Sequence, residues 1–509
     1  MKKIFTVLVA GLMISAQAFA VTTKDVCGQF NGELWIDWDS YGSKSVYLLP
    51  GTKENTLTFV LPDFSFLGGK LGNIVLPNIS MDADGKLSLE ETSLYLDSIN
   101  LRASIKMLNN YVDEGETYNS IVSATQAQIT LEIAEPKTLP MPIIVIFEGQ
   151  ALRSNNYALP NGGFEGQWVN NEPAAWHSFA SATGDFADFV KGNTQQFVAS
   201  NDVRPGSEGT QSILLSSNIL FGVKANGNCT NGQINAGSMT ADDPVGNYNV
   251  SDPASSGFNT PFNGRPDSIV FWAKYLPADK DPNNVDNKAR MSTIITTNAR
   301  YQDPEATDYS AVKVASAVVN YAATADLGWQ RISVPFTYTG IEGEPAYILT
   351  TFTTNQVPGG GSSAKGKLDS VYLDDVELIY NKTLNSFSIG ENALQFIQHV
   401  ASVNENYCDS CADYVAAAAG QTAQTFIGFD AAHKCIHVYV IADDFAQSGA
   451  YKLYRIEFTD SQTGDLDPID QGVENLMLNT ISSEKVLLNG QLFIRRGDVW
   501  FNAAGIRVK

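Results

Sequence analysis

The 509-residue sequence is short of the side chains that most enzyme chemistry uses: it has four histidines and five cysteines. The imidazoles, at positions 177, 399, 433 and 437, leave little room for a histidine-based triad. No nucleophile elbow, zinc-protease helix, P-loop or dinucleotide fingerprint occurs. Charged residues make up 17% of the chain, below the ~25% of an average globular domain. Basic ones are scarcest: 33 Lys and Arg face 55 Asp and Glu, a formal net charge of −22. Such a surface repels a phosphate backbone and an anionic lipid face, which excludes nucleic-acid binding as a default. Long hydrophobic runs are also missing, because no interior stretch approaches the ~18 apolar residues of a spanning helix.

Helical periodicity is nearly absent as well. In its place short apolar runs alternate with Gly, Pro, Asn and Asp clusters, the pattern of an all-β chain. Thr56 to Leu61, Ser268 to Ala273 and Val371 to Leu378 are examples. The length calls for several compact units, and polar breaks at Gly149 to Pro160, Tyr380 to Lys382 and Asp460 to Gly472 divide it. At the start, Met1-Lys2-Lys3, the apolar stretch Ile4 to Ile14 and Ala18-Phe19-Ala20 read as a signal peptide over residues 1–20. Cleavage after Ala20 predicts an exported protein beginning at Val21, periplasmic, on the cell surface or extracellular. The cleavage point carries no Cys, so no lipid anchor is expected.

Residues 21–150 carry Phe30 to Leu34, Leu61 to Phe66, Leu71 to Leu76, Asp84 to Leu87 and Gln128 to Ile133. Together these resemble the calycin-like β-barrel domain of secreted Bacteroidales proteins. The resemblance implies a small barrel, closed without a free edge, filled by side chains or holding a small apolar ligand. Within it, Ser80 to Glu91 nearly spells a calcium loop, but position 1 is Ser and the flanks read as strands. An Asp-Gly hairpin turn accounts for the same residues.

Residues 158–382 open with Leu159-Pro160-Asn161-Gly162-Gly163-Phe164-Glu165 and close with Leu368 to Leu378. These ends resemble those of jelly-roll carbohydrate-binding modules. The interior segments Pro261 to Pro266, Phe271 to Tyr275 and Gly328 to Phe336 resemble the carbohydrate-metabolism domain of Bacteroidales. On the closing strand, Tyr372, Asp374, Val376, Leu378 and Tyr380 read as one face, apolar except for a carboxylate. A buried carboxylate needs a partner. Related modules bring their first and last strands together, so the resemblance implies a structural calcium shared by Glu165 and Asp374; backbone amides around Asp374 are the alternative. Trp168, Trp272, Tyr275 and Trp329 are the candidate platforms for a sugar ring, with core packing as the competing role for each.

Residues 383–460 resemble a cadherin-like or immunoglobulin-like β-sandwich, through Leu384 to Ile389 and Ala450 to Phe458. Cys408-Asp409-Ser410-Cys411, His433, Cys435 and His437 cluster in this stretch, and a disulfide, free buried thiols or zinc ligation all fit them. Residues 473–509 read as a C-terminal hairpin tail similar to a sorting signal. The expected whole is a multi-domain all-β protein with a small β-barrel, a jelly-roll β-sandwich and an immunoglobulin-like β-sandwich. Its expected role is non-catalytic binding of glycans. The alternatives are a structural or adhesion protein, and a glycan-acting hydrolase, which would need two carboxylates about 5–10 Å apart.

Overall fold

A computed structural model describes residues 21–66, 69–96, 101–113, 115–134, 142–152, 154, 156–193, 197–220, 223–278, 287–357 and 368–469, together with strands at 483–488, 491–496 and 499–502. The leader expected at 1–20 lies outside them. The chain is all-β. Helices among the described residues are short, such as Ala187–Asn193 and Phe445–Ser448, and none is long and apolar enough to cross a membrane.

The first unit is one antiparallel sheet of long strands: β1 (Gly28–Ile36), β2 (Asp39–Pro50), β3 (Thr56–Phe66), β4 (Gly69–Met81), β5 (Leu87–Ser88), β6 (Thr92–Leu96), β7 (Leu101–Met107), β8 (Gln126–Ala134) and β9 (Ile143–Ala151). Their order is β5-β4-β3-β2-β1-β9-β8-β7-β6. The sheet curls into a half-barrel, not the fully closed ladder the sequence suggested. Its ends are tied by a few backbone bonds, Leu87 N to Ser120 O at 2.8 Å, Val122 N to Gly85 O at 2.9 Å and Met107 N to Leu89 O at 3.1 Å. Alternate residues point inward and fill it, among them Phe30, Leu34, Phe59, Phe64, Ile129, Leu131 and Phe147. The Ser80 to Glu91 segment is the hairpin turn: Ser80 pairs with Ser88, and Asp82 Oδ1 accepts the amides of Asp84 and Lys86.

The central unit is a sandwich of two five-stranded sheets. One contains β10 (Phe197–Ser200), β11 (Ser212–Ser216), β13 (Ser268–Leu276), β16 (Gln330–Pro335) and β19 (Ser370–Ile379), in the order β10-β11-β19-β13-β16. The other contains β12 (Asn228–Thr230), β14 (Ala289–Thr296), β15 (Lys313–Tyr321), β17 (Thr337–Tyr338) and β18 (Tyr347–Thr353), in the order β12-β18-β14-β15-β17. Between them pack Phe271, Ala273, Val371 and Leu373 against Met291, Ile295, Ile348 and Phe352. The Phe271 and Phe352 rings meet edge-on at 5.1 Å. The opening segment does reach the last strand. Val376 N donates to Gly162 O at 2.9 Å, and a Cβ at Gly162 would stand 2.1 Å from the Val376 carbonyl oxygen, so only glycine fits there.

The third unit holds β20 (Leu384–Ile389) and β22 (Tyr414–Ala418) in one sheet. Its second sheet is β21 (Val400–Ser402), β25 (Lys452–Glu457), β24 (Cys435–Ile441) and β23 (Gln424–Asp430). Strand β24 is buried along its whole length because both faces are covered. Ile436, Val438 and Val440 face the unit's own core, while Tyr439 and Ile441 pack on Tyr47, Leu49, Val60 and Val75 of the half-barrel. The continuous apolar run Thr56 to Leu61 has the same cause: one face fills the half-barrel and the other meets the third unit. The tail forms a three-stranded antiparallel sheet of Ser483–Leu488, Gln491–Arg496 and Val499–Asn502.

Candidate functional site

Strand β13 alternates from Phe271 onward. Phe271, Ala273 and Tyr275 point into the sandwich, and Trp272 and Lys274 point out. Tyr275 is 1% exposed and lies 6.4 Å from Tyr321, so it is a core ring and not a sugar platform. Trp168 packs against Phe197 at 5.2 Å, with its Nε1 donating to Gln211, at the margin of the core. The other two candidates, Trp272 and Trp329, do come to the outer face of the β10-β11-β19-β13-β16 sheet.

That face is completed by Lys274, Tyr372 and a residue the sequence did not single out, Asp202. Tyr372 on β19 lies opposite Lys274 in the ladder. The Lys274 ammonium sits 5.1 Å above the Tyr372 ring centroid and donates to Asp202 Oδ2 at 2.7 Å. Trp329, just before β16, meets Tyr372 at 6.3 Å with ring planes 65° apart, and its Nε1 donates to Asp202 Oδ1 at 3.1 Å. Lys274 and the Trp329 N–H hold the Asp202 carboxyl below the usual carboxylate range. At the neighbouring end of the face, the Arg204 guanidinium lies 5.3 Å over Trp272. The three rings are half-buried, so each presents part of a flat apolar surface beside fixed donors and acceptors.

Asp374 shares this side of the sheet but is fully covered. Its Oδ2 accepts the Arg204 amide and its Oδ1 the Asp375 amide, both at 2.9 Å, while the Arg204 Nε donates to Asp375. Glu165 has separate partners: Oε1 accepts the amides of Thr210 at 2.9 Å and Gln211 at 2.8 Å. Each expected calcium ligand accepts backbone amides of its own, and the two carboxylates have different partners. The single-face reading of the closing strand is corrected. Asp375 has φ +43°, and the ladder shifts so that Asp374 lies opposite Trp272 but Glu377 opposite Val270. This β-bulge reverses the alternation. Tyr372 and Asp374 therefore face outward, whereas Val376 and Leu378 join the core.

Burial pushes the Asp374 carboxyl up to about 6, against the pull of the Arg204 amide. A raised carboxylate pKa favours the native state while the group is protonated, and that advantage is lost as pH rises from about 4 through about 6. Asp374→Asn removes this dependence. Melting curves of both proteins from pH 4 to 7 should move in the variant's favour on going up in pH, by at most about 3 kcal/mol. A constant difference between them would show that Asp374 does not titrate in this window.

Glu172 forms a second polar centre, which staples a loop. Burial raises its pKa, but the bonds from His177, Ser178 and Ser181 outweigh that and hold it below normal. Its Oε1 accepts both the amide and the hydroxyl of Ser178 and the hydroxyl of Ser181, and His177 bridges its Oε2 and the Gly257 carbonyl. The Ser178 hydroxyl is bound to the carboxylate and not to the imidazole, which is no triad.

No family model matches the chain, and no curated protein matches it in sequence. The resemblances to calycin-like, carbohydrate-metabolism and immunoglobulin-like domains therefore rest on the quoted motifs alone. Among solved structures, TmCBM61 in complex with β-1,4-galactotriose aligns at 11% identity over 44% of this chain and 99% of its own, with a TM-score of 0.21. A β-fructofuranosidase from Schwanniomyces occidentalis complexed with fructosyl-erythritol aligns at 8% identity over 71% of this chain and 97% of its own, with a TM-score of 0.11. Likenesses this slight decide neither the fold nor the activity.

Proposed function

We propose that the outer face built by Trp272, Lys274, Trp329 and Tyr372 binds carbohydrate without turning it over. The observation that carries this reading is the Trp329–Tyr372 ring pair beside the Lys274–Asp202 ion pair. Apolar ring surfaces suit the C–H face of a pyranose, and the ammonium and carboxylate suit its hydroxyls. A shallow, half-exposed face of this kind gives affinities of roughly micromolar to millimolar, or about −8 to −4 kcal/mol. Export to the cell envelope or beyond, as the leader suggests, would put the face where glycans are met.

A glycan array probed with the full chain, followed by calorimetry on the best hit, tests this. Trp329→Ala should weaken binding about tenfold, the equivalent of ~1.4 kcal/mol. Tyr275→Phe should leave affinity unchanged, because that ring is in the core. Silence across a broad array would favour the structural or adhesion role, and release of reducing sugar from the bound glycan would overturn the non-catalytic reading.

A further inference from the structure

Strand β24 turns Cys435 and His437 toward the half-barrel, on the same side as Tyr439. The turn between β23 and β24 folds Asp430 directly opposite Cys435 in the ladder. The three side chains are buried, with Cys435 and His437 fully excluded from solvent and Asp430 5% exposed. A carboxylate oxygen, the thiol sulfur and an imidazole nitrogen all lie within 4.8 Å of one another. Of the readings open for Cys408-x-x-Cys411, the disulfide is the one formed, so those two cysteines are not ligands here.

We propose that Asp430, Cys435 and His437 form a buried binding site for a divalent ion of the zinc class. The sulfur–nitrogen spacing fits. A tetrahedral zinc about 2.3 Å from sulfur and about 2.0–2.1 Å from nitrogen holds those two atoms ~3.6 Å apart, and Cys435 Sγ lies 3.5 Å from His437 Nε2. The surroundings orient the carboxylate as an outer shell does. Asp430 accepts from Asn78 Nδ2 of the half-barrel and sits against His433 Nδ1, both at 2.8 Å, and takes the His433 amide at 3.1 Å. One carboxylate and one thiolate neutralise a dication, and the nearby Arg455 has Glu457 3.6 Å away. The site stands at the seam between the third unit and the half-barrel, so an ion there would tie the two together. It is independent of the glycan-binding reading.

The test uses the full chain with the Cys408–Cys411 disulfide kept oxidised, stripped with a chelator and titrated with cobalt(II) and then zinc(II). One equivalent of cobalt should give a sulfur-to-cobalt charge-transfer band with tetrahedral ligand-field bands, bleached by zinc, and zinc should raise the melting temperature of the stripped protein. Cys435→Ala should abolish the charge-transfer band, with the near-isosteric Cys435→Ser used where the alanine variant does not fold. His437→Gln should weaken cobalt binding at least tenfold. Folded wild-type protein that takes up no stoichiometric cobalt, and whose melting zinc does not move, would leave only a thiol hydrogen-bonded to an imidazole and overturn the proposal. A charge-transfer band that survives in a Cys435 variant would overturn it as well.

Discussion

Tyr439→Ala should destabilise the paired half-barrel and third unit by about 3–5 kcal/mol, the range for deleting a fully buried aromatic ring. The ring lies between the two units, among Tyr47, Leu49, Val60, Val75, Phe426 and Phe445. Its hydroxyl is bonded at 2.8 Å to that of Thr58, near the start of β3. Thr58 is fully buried, so removing its partner strands a hydroxyl that no water reaches. Tyr439→Phe keeps the packing and loses that bond alone, at a cost of about 1–3 kcal/mol. Denaturant unfolding followed by limited proteolysis of each unit separates the two effects. In the alanine variant the half-barrel and third unit should open at different denaturant concentrations, whereas in the phenylalanine variant they should still open together. Equal midpoints for wild type and Tyr439→Ala would show that the seam contributes no stability.

The all-β class was legible from the sequence because short alternating runs bounded by turn residues leave few other options. The half-barrel interior was legible for the same reason, with alternate residues such as Ile129, Leu131 and Ile133 all facing inward. Its incomplete closure was not, since closure depends on how far the terminal strands curl and not on any one strand's pattern. Tyr275 was mistaken for a platform although the period of two already placed it with Phe271, on the face opposite Trp272. Tyr372 was hidden by the bulge at Asp375, where one extra residue reverses the alternation downstream, so no straight-strand reading assigns both ends of β19 correctly. Asp202 was unreadable for a different reason: it reaches Lys274 and Trp329 from a loop distant in sequence from both.

The buried cluster shows the same limit from the other side. Local spacing drew attention to Cys408-x-x-Cys411, yet those two cysteines bond to each other. The partner that Cys435 and His437 acquire is Asp430, one turn earlier, and what makes it a partner is the register of β23 on β24. A single chain gives a turn as easily as a loop there. Only the pairing fixes which carboxylate stands opposite the thiol.

Arg290 and Asp303 form a two-bond ion pair inside the central unit, and breaking it should cost about 3–5 kcal/mol. Arg290 lies on β14, whereas Asp303 ends the strand Tyr301–Asp303 in a separate three-stranded sheet with Gln233–Ala236 and Asn247–Ser251. The guanidinium donates twice, Nη1 to Oδ2 at 2.8 Å and Nη2 to Oδ1 at 2.9 Å. This fork geometry holds both groups in one orientation and is largely shielded from solvent. Arg290→Met leaves the Asp303 carboxylate buried and uncompensated, and Asp303→Leu does the same to the guanidinium. Each single substitution should therefore lower stability by several kcal/mol. The double variant removes both charges and fills the space with apolar atoms, so it should lose much less than the two singles added together. A double-mutant cycle by denaturant unfolding reads the coupling directly. Strict additivity would mean that water reaches the pair and screens it, and the small sheet would then be held to the sandwich by its backbone and apolar contacts instead.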